Sequence, residues 1–130
     1  MPAIRVLLIE DESDTIELYR AQLTKDGFDV VTATNADDGL AEVKRARPAI
    51  VLLDIMLPGK SGFEVLDTLK KDTATKDIPV LALTNLAEEV GFERAREQGA
   101  VGYIVKAERT PRQVSMIVKQ ILQETGKAIE

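Results

Sequence analysis

The 130-residue chain contains no cysteine and no histidine. Without thiols there are no disulfides, no thiolate nucleophile and no cysteine-ligated zinc. Without imidazole the chain has neither a histidine metal ligand nor a histidine general base. An excess of basic residues is also missing: 17 Lys and Arg stand against 22 Asp and Glu, for a net charge of −5. A nucleic-acid partner, which needs a basic patch, is therefore not expected. No stretch approaches the ~20 apolar residues of a membrane span. The N-terminal MPAIRVLLIEDE is too short in its apolar part, and too soon acidic, for a signal peptide. The expectation is a cytoplasmic protein without a membrane partner.

What is there is ordinary globular composition, 45% apolar and 30% charged, which argues against disorder. The length suits one domain, 1–130. A strand-then-helix unit recurs five times. The continuous apolar runs Val6–Ile9, Ile50–Leu53 and Val80–Leu83 read as strands covered on both faces, with Phe28–Ala33 and Val101–Val105 as the other two. Ser13 is expected to cap a first helix carrying Ile16, Tyr19 and Leu23, stopped at Gly27. Asn35 caps a second, with Ala36, Leu40 and Val43 inward. Ser61 and Glu64 suggest a capping box for a third, bearing Phe63, Leu66 and Leu69. A fourth runs from about Ala87 to Gln98, its internal Gly91 suggesting mobility and a place for partners. Thr110–Pro111–Arg112–Gln113 starts a fifth, whose inward stripe is Val114, Ile117, Val118 and Ile121. Such alternation predicts an α/β, flavodoxin-like, doubly wound five-stranded parallel sheet of order 2-1-3-4-5, with helices on both faces.

Each of four runs ends in a chemically loaded residue: VLLI in Glu10 and Asp11, IVLL in Asp54, VLAL in Thr84, YIV in Lys106. In the 2-1-3-4-5 order these five meet at one sheet edge, beside the topological switch point. Carboxylates that close repel unless a cation sits among them. An oxygen-rich site with a lysine nearby suits Mg²⁺ and a phosphoryl group. Lacking histidine, the chain would have to take that phosphoryl from another molecule.

These motifs, in this order and spacing (VLLIEDE, IVLLDIMLPG, VLALTN, GYIVKA), resemble the receiver domain of bacterial two-component response regulators across essentially the whole chain. The resemblance implies a stand-alone receiver. Asp54 would be the phosphoacceptor, forming an acyl phosphate with a phosphoryl group from a sensor histidine kinase. Mg²⁺ would be held by Glu10, Asp11, Asp54 and the Met56 backbone carbonyl, Glu10 acting directly or through water. Lys106 and Thr84 would contact phosphoryl oxygens. Tyr103 would change rotamer as Thr84 moves, although its alternation with Val101 and Val105 does not set where the ring points. The switch would be read by a downstream protein on the face of helix 4, strand 5 and helix 5; a phosphorylation-dependent dimer stays open. Such a protein is no conventional enzyme, though it catalyses its own aspartyl phosphorylation and slow dephosphorylation.

The chain departs from the family's pattern at three places. Glu10 stands where Asp is common, and Asn85, larger than the usual small residue after the Thr, either narrows access to Asp54 or offers an amide. Ala107 stands where many receivers have Pro; a cis bond there costs about 3–4 kcal/mol without proline, so a trans, differently arranged loop is expected. Met56 and Leu86 flank the approach of a hydrolytic water with no group to orient it, which predicts slow self-dephosphorylation. Gly59–Lys60–Ser61 is no P-loop, since Asp54 occupies the required glycine position. No GxGxxG follows the first strand, and Met56 stands where a haloacid-dehalogenase-type phosphatase would want Asp. The alternatives are a receiver-fold binding module that is never phosphorylated, or a phosphorelay carrier.

Overall fold

The computed structural model describes residues 3–126. Strands β1 (Arg5–Ile9), β2 (Asp29–Ala33), β3 (Ile50–Leu53), β4 (Val80–Thr84) and β5 (Gly102–Val105) alternate with helices α1 (Ser13–Lys25), α2 (Ala36–Ala46), α3 (Gly62–Lys71), α4 (Glu89–Glu97) and α5 (Pro111–Glu124). All strands are parallel, in the order β2-β1-β3-β4-β5. This is the flavodoxin-like arrangement expected from the apolar runs.

The period of two along each strand divides the core into two layers. Leu7, Ile9, Val51, Leu53 and Ala82 pack with Val43 of α2, Val65, Leu66 and Leu69 of α3 and Ala95 of α4. Val6, Leu8, Leu52, Leu81 and Leu83 pack on the other side with Ile16, Tyr19 and Leu23 of α1 and Val114, Val118 and Ile121 of α5. A one-residue slip would carry every side chain into the opposite layer, away from the helices it packs against, so register is fixed. Ile9 pairs with Leu53, and the Asp54 N–H donates to the Ile9 carbonyl (3.0 Å). The acids that follow those residues are thereby adjacent.

Several local expectations are corrected. Ser13 is not the cap of α1; it lies inside the helix, and Glu12 occupies the cap position without a side-chain bond. Ser61 does cap α3, but its hydroxyl accepts from the Phe63 N–H rather than forming a box with Glu64. Helix α4 starts at Glu89, two residues late, and Val101 precedes β5. The boxed start of α5 is as expected: Thr110 Oγ1 accepts from the Gln113 N–H (3.1 Å), and Gln113 Oε1 accepts from the Thr110 N–H (2.8 Å). No peptide bond among the described residues is cis, and Lys106–Glu108 forms a 3₁₀ turn. The lysine-bearing loop is thus trans, as Ala107 predicts.

Candidate phosphoryl and metal site

Of the five residues singled out at the strand ends, Glu10, Asp11, Asp54 and Lys106 stand together at the carboxyl edge of the sheet, and Thr84 ends the neighbouring strand β4 at the same edge. Glu10, Asp11 and Asp54 each bring a carboxylate oxygen within 4.8 Å of the others. Glu10 and Asp54 are buried, while Asp11 opens to solvent. Lys106 Nζ lies between the two buried acids, donating to Glu10 Oε1 and to Asp54 Oδ2 (2.9 Å). The second oxygen of each is also occupied. Glu10 Oε2 accepts from the Glu12 N–H (3.1 Å), and Asp54 Oδ1 accepts from the Met56 N–H (2.9 Å). Asp11, beside them, is the acid most open to an arriving ion.

Electrostatics follow from this packing. Burial pushes the Glu10 carboxyl above its usual range, with Asp54 adding to the rise and the Lys106 and Glu12 donors opposing it. Burial alone would lower the Lys106 ammonium, but two facing carboxylates outweigh it and the group is raised. Three oxygen donors with no nitrogen or sulfur among them form a hard ligand set, which fits Mg²⁺ or Mn²⁺ rather than zinc or copper.

Thr84, fully buried at the end of β4, accepts from the Leu86 N–H (3.2 Å) through its hydroxyl. The Tyr103 hydroxyl donates to the carbonyl of the same residue, Leu86. The Tyr103 ring meets Phe92 edge-on, with centroids 5.7 Å apart at 78°. Burial first, then the Asp54 and Glu88 charges, raise its phenol. Met56, whose N–H donates to Asp54, is 57% exposed, and Asn85, next after Thr84, is exposed. Lys60 of the rejected P-loop triplet pairs with Asp37 of α2 (3.0 Å).

Sequence reading missed Gly62. A Cβ there would stand 2.4 Å from the Asp54 carbonyl oxygen and 2.6 Å from the Ile55 Cα. The first turn of α3 thus presses on the backbone that carries Asp54, and only a residue without a side chain allows it. A single chain gives no signal for this, because the contact spans a loop. Phe92 was missed for a similar reason: its ring partner belongs to another element.

Residues 6–122 match the family model described as response regulator receiver domain. The chain belongs to that family. It is 36% identical over 121 residues to the phosphate regulon transcriptional regulatory protein PhoB of Escherichia coli (strain K12), covering 93% of this chain and 52% of PhoB. The chain therefore spans about half the length of that relative. Among solved structures, the CheY-like receiver domain protein of Methanospirillum hungatei JF-1 superposes with a TM-score of 0.89 at 26% identity, covering 97% of this chain and 98% of that one. The Mn²⁺-bound form of response regulator Rcp1 shares the fold, with a TM-score of 0.78 at 23% identity over 98% and 97% of the two chains. Among the described residues, no helix of this receiver is long and apolar enough to cross a membrane.

Proposed function

We propose that this receiver accepts a phosphoryl group from a sensor histidine kinase onto Asp54, with Mg²⁺ held by Glu10, Asp11, Asp54 and the Met56 carbonyl. The observation that carries the reading is the joint placement of three acids within 4.8 Å and of Lys106 on two of them. An Asp54 oxygen attacks phosphorus in line, the P–N bond to the donor imidazole breaks with its electron pair leaving on nitrogen, and an acyl phosphate forms. Positioning and charge compensation supply most of the acceleration in such transfers. A bound Mg²⁺ supplies charge neutralisation for the phosphoryl oxygens. Lys106 stays within reach of Asp54 to neutralise a further oxygen, and the Thr84 hydroxyl turns from Leu86 to donate to another.

The result is read by a downstream protein on the face built from α4, β5 and α5. Val90, Phe92, Val101 and Met116, four of the exposed large apolar side chains, lie on or beside those elements. Residues 1–130 are read as a single receiver domain, working in the cytoplasm. The deciding experiment is incubation with Mg²⁺ and a small acyl phosphate, followed by intact-mass measurement. The wild type is expected to gain one phosphoryl mass and Asp54→Asn none. A wild type that gains nothing leaves the idle binding module as the better reading.

A further inference from the structure

Away from the carboxyl edge of the sheet, a polar contact joins α5 to the end of α1. Ser115 is fully buried, and its neighbours Val114 and Val118 belong to the apolar layer that includes Leu23 of α1. Its hydroxyl donates to Asp26 Oδ2 (2.5 Å), at the C-cap of α1. Gln22 Nε2 donates to the same oxygen (3.0 Å). Donors on a carboxylate favour its ionised form. The Ser115 hydroxyl, and after it the Gln22 amide, hold the Asp26 carboxyl below its usual range.

The residue after Asp26 is Gly27, and an Asp–Gly pair is prone to close into a succinimide, because no side chain shields the glycine nitrogen. In that reaction the deprotonated Gly27 nitrogen attacks Asp26 Cγ, a C–N bond forms, and a carboxyl oxygen leaves as water. Water then opens the ring at the α-carbonyl, which routes the main chain through the side-chain carbonyl. The product is isoaspartate, with no net change in atoms.

Three features of the structure oppose this closure. An ionised carboxylate is a poor electrophile, and its two donors hold it on Ser115 and Gln22. The Gly27 N–H is engaged, donating to the Thr24 carbonyl (3.0 Å). With Asp26 at a ψ of 7°, the Gly27 nitrogen nearly eclipses the backbone nitrogen of Asp26, whereas ring closure needs it eclipsed with Cβ. Gly27 itself takes a φ of +97°, which only glycine adopts without strain.

We infer that Asp26–Gly27 is an isoaspartyl modification site kept closed by Ser115 and Gln22, and that its conversion marks chains in which α5 has parted from α1. The inference stands apart from whether Asp54 accepts a phosphoryl group. Parting of the helices carries the Ser115 hydroxyl away with α5 and leaves Asp26 free to lose its charge and meet the Gly27 nitrogen.

The test ages the full chain in neutral buffer and measures isoaspartate at each position by chromatographic peptide mapping. Methyl transfer by a protein isoaspartyl methyltransferase gives a second readout. The other Asp–Gly pair, Asp38–Gly39, is an internal control. It lies in α2, across the sheet from α5, where the Gly39 N–H donates to the Asn35 carbonyl (3.0 Å). In the folded wild type, Asp26 should convert several times more slowly than in the urea-unfolded chain. Ser115→Ala should speed Asp26 severalfold and leave Asp38 unchanged. Val118→Ala, which thins the apolar packing of α5 but keeps both donors, should also speed Asp26 alone. Gln22→Ala, altered at a partly exposed side chain, should do so to a lesser degree and decides the matter if Ser115→Ala fails to fold. A folded wild type that converts as fast as the unfolded chain overturns the inference. So does an unchanged Asp26 rate in the variants, or a rise shared equally by Asp38, which reports general unfolding.

Discussion

Lys106 is the residue on which the site's charge balance turns. Its ammonium is raised because two carboxylates outweigh its burial. A cationic group raised on folding contributes stability that is complete below its unfolded value, about 10.4, and is lost as pH climbs through the folded value. Lys106→Met should remove this alkaline loss. It should also lower stability at neutral pH by up to about 3 kcal/mol, because Glu10 and Asp54 are left facing without a cation. Urea midpoints measured from pH 6 to 11 check both effects. Met56 and Leu86 carry a second expectation. Met56 offers an exposed thioether and Leu86 an alkyl chain packed against the core, neither with a group to orient an attacking water, so the acyl phosphate is expected to be long-lived. Met56→Glu together with Leu86→Asn should shorten its half-life about 10-fold or more, short of the roughly 10²–10⁴-fold that an ideally positioned acid or base contributes; an unchanged decay in intact-mass time courses removes the argument. The acids, the lysine and the threonine were legible in the chain because each closes an apolar run. Gly62 was not, since what it accommodates is a backbone brought from elsewhere by folding.

At the scale of elements, agreement between pattern and structure tracks how many signals coincide. At α5, cap, proline and capping-box glutamine all mark one position, and the helix begins at Pro111 with both reciprocal bonds made. Thr110→Ala should cost about 1 kcal/mol of stability, read as a lower urea midpoint at unchanged slope. At α1 the signals compete. Ser13 follows three acids, and the helix starts at Ser13 itself while Glu12 takes the cap position and donates its N–H to Glu10. The requirement of a buried carboxylate for a donor displaces the boundary that local propensity favoured. Helix α4 begins at Glu89, after a loop in which the Leu86 N–H donates to Thr84 and its carbonyl accepts from Tyr103. At α1 the competing bond joins residues two apart, whereas at α4 the Tyr103 hydroxyl comes from β5, and only that second contact lies outside the local sequence.

Across the whole molecule, a ligand that binds only the folded state raises its stability by mass action. A Mg²⁺ concentration 100-fold above its dissociation constant is worth about 2.7 kcal/mol, which for a domain this size amounts to several degrees in Tm. The wild type should show that rise in a thermal scan, and Asp11→Ala should not. Asp11 is exposed, so its removal tests the site without hollowing the core. The parallel sheet has one further consequence. Its strands all point the same way, and tightly packed apolar layers close the interior behind Asp54. Ion, donor and solvent must therefore share a single doorway. On the phosphoacceptor reading, a donor protein broad enough to present its imidazole to Asp54 would stand in that doorway and bar water until it departs. Loading and unloading of the aspartate would then take turns, by architecture rather than by any dedicated gate.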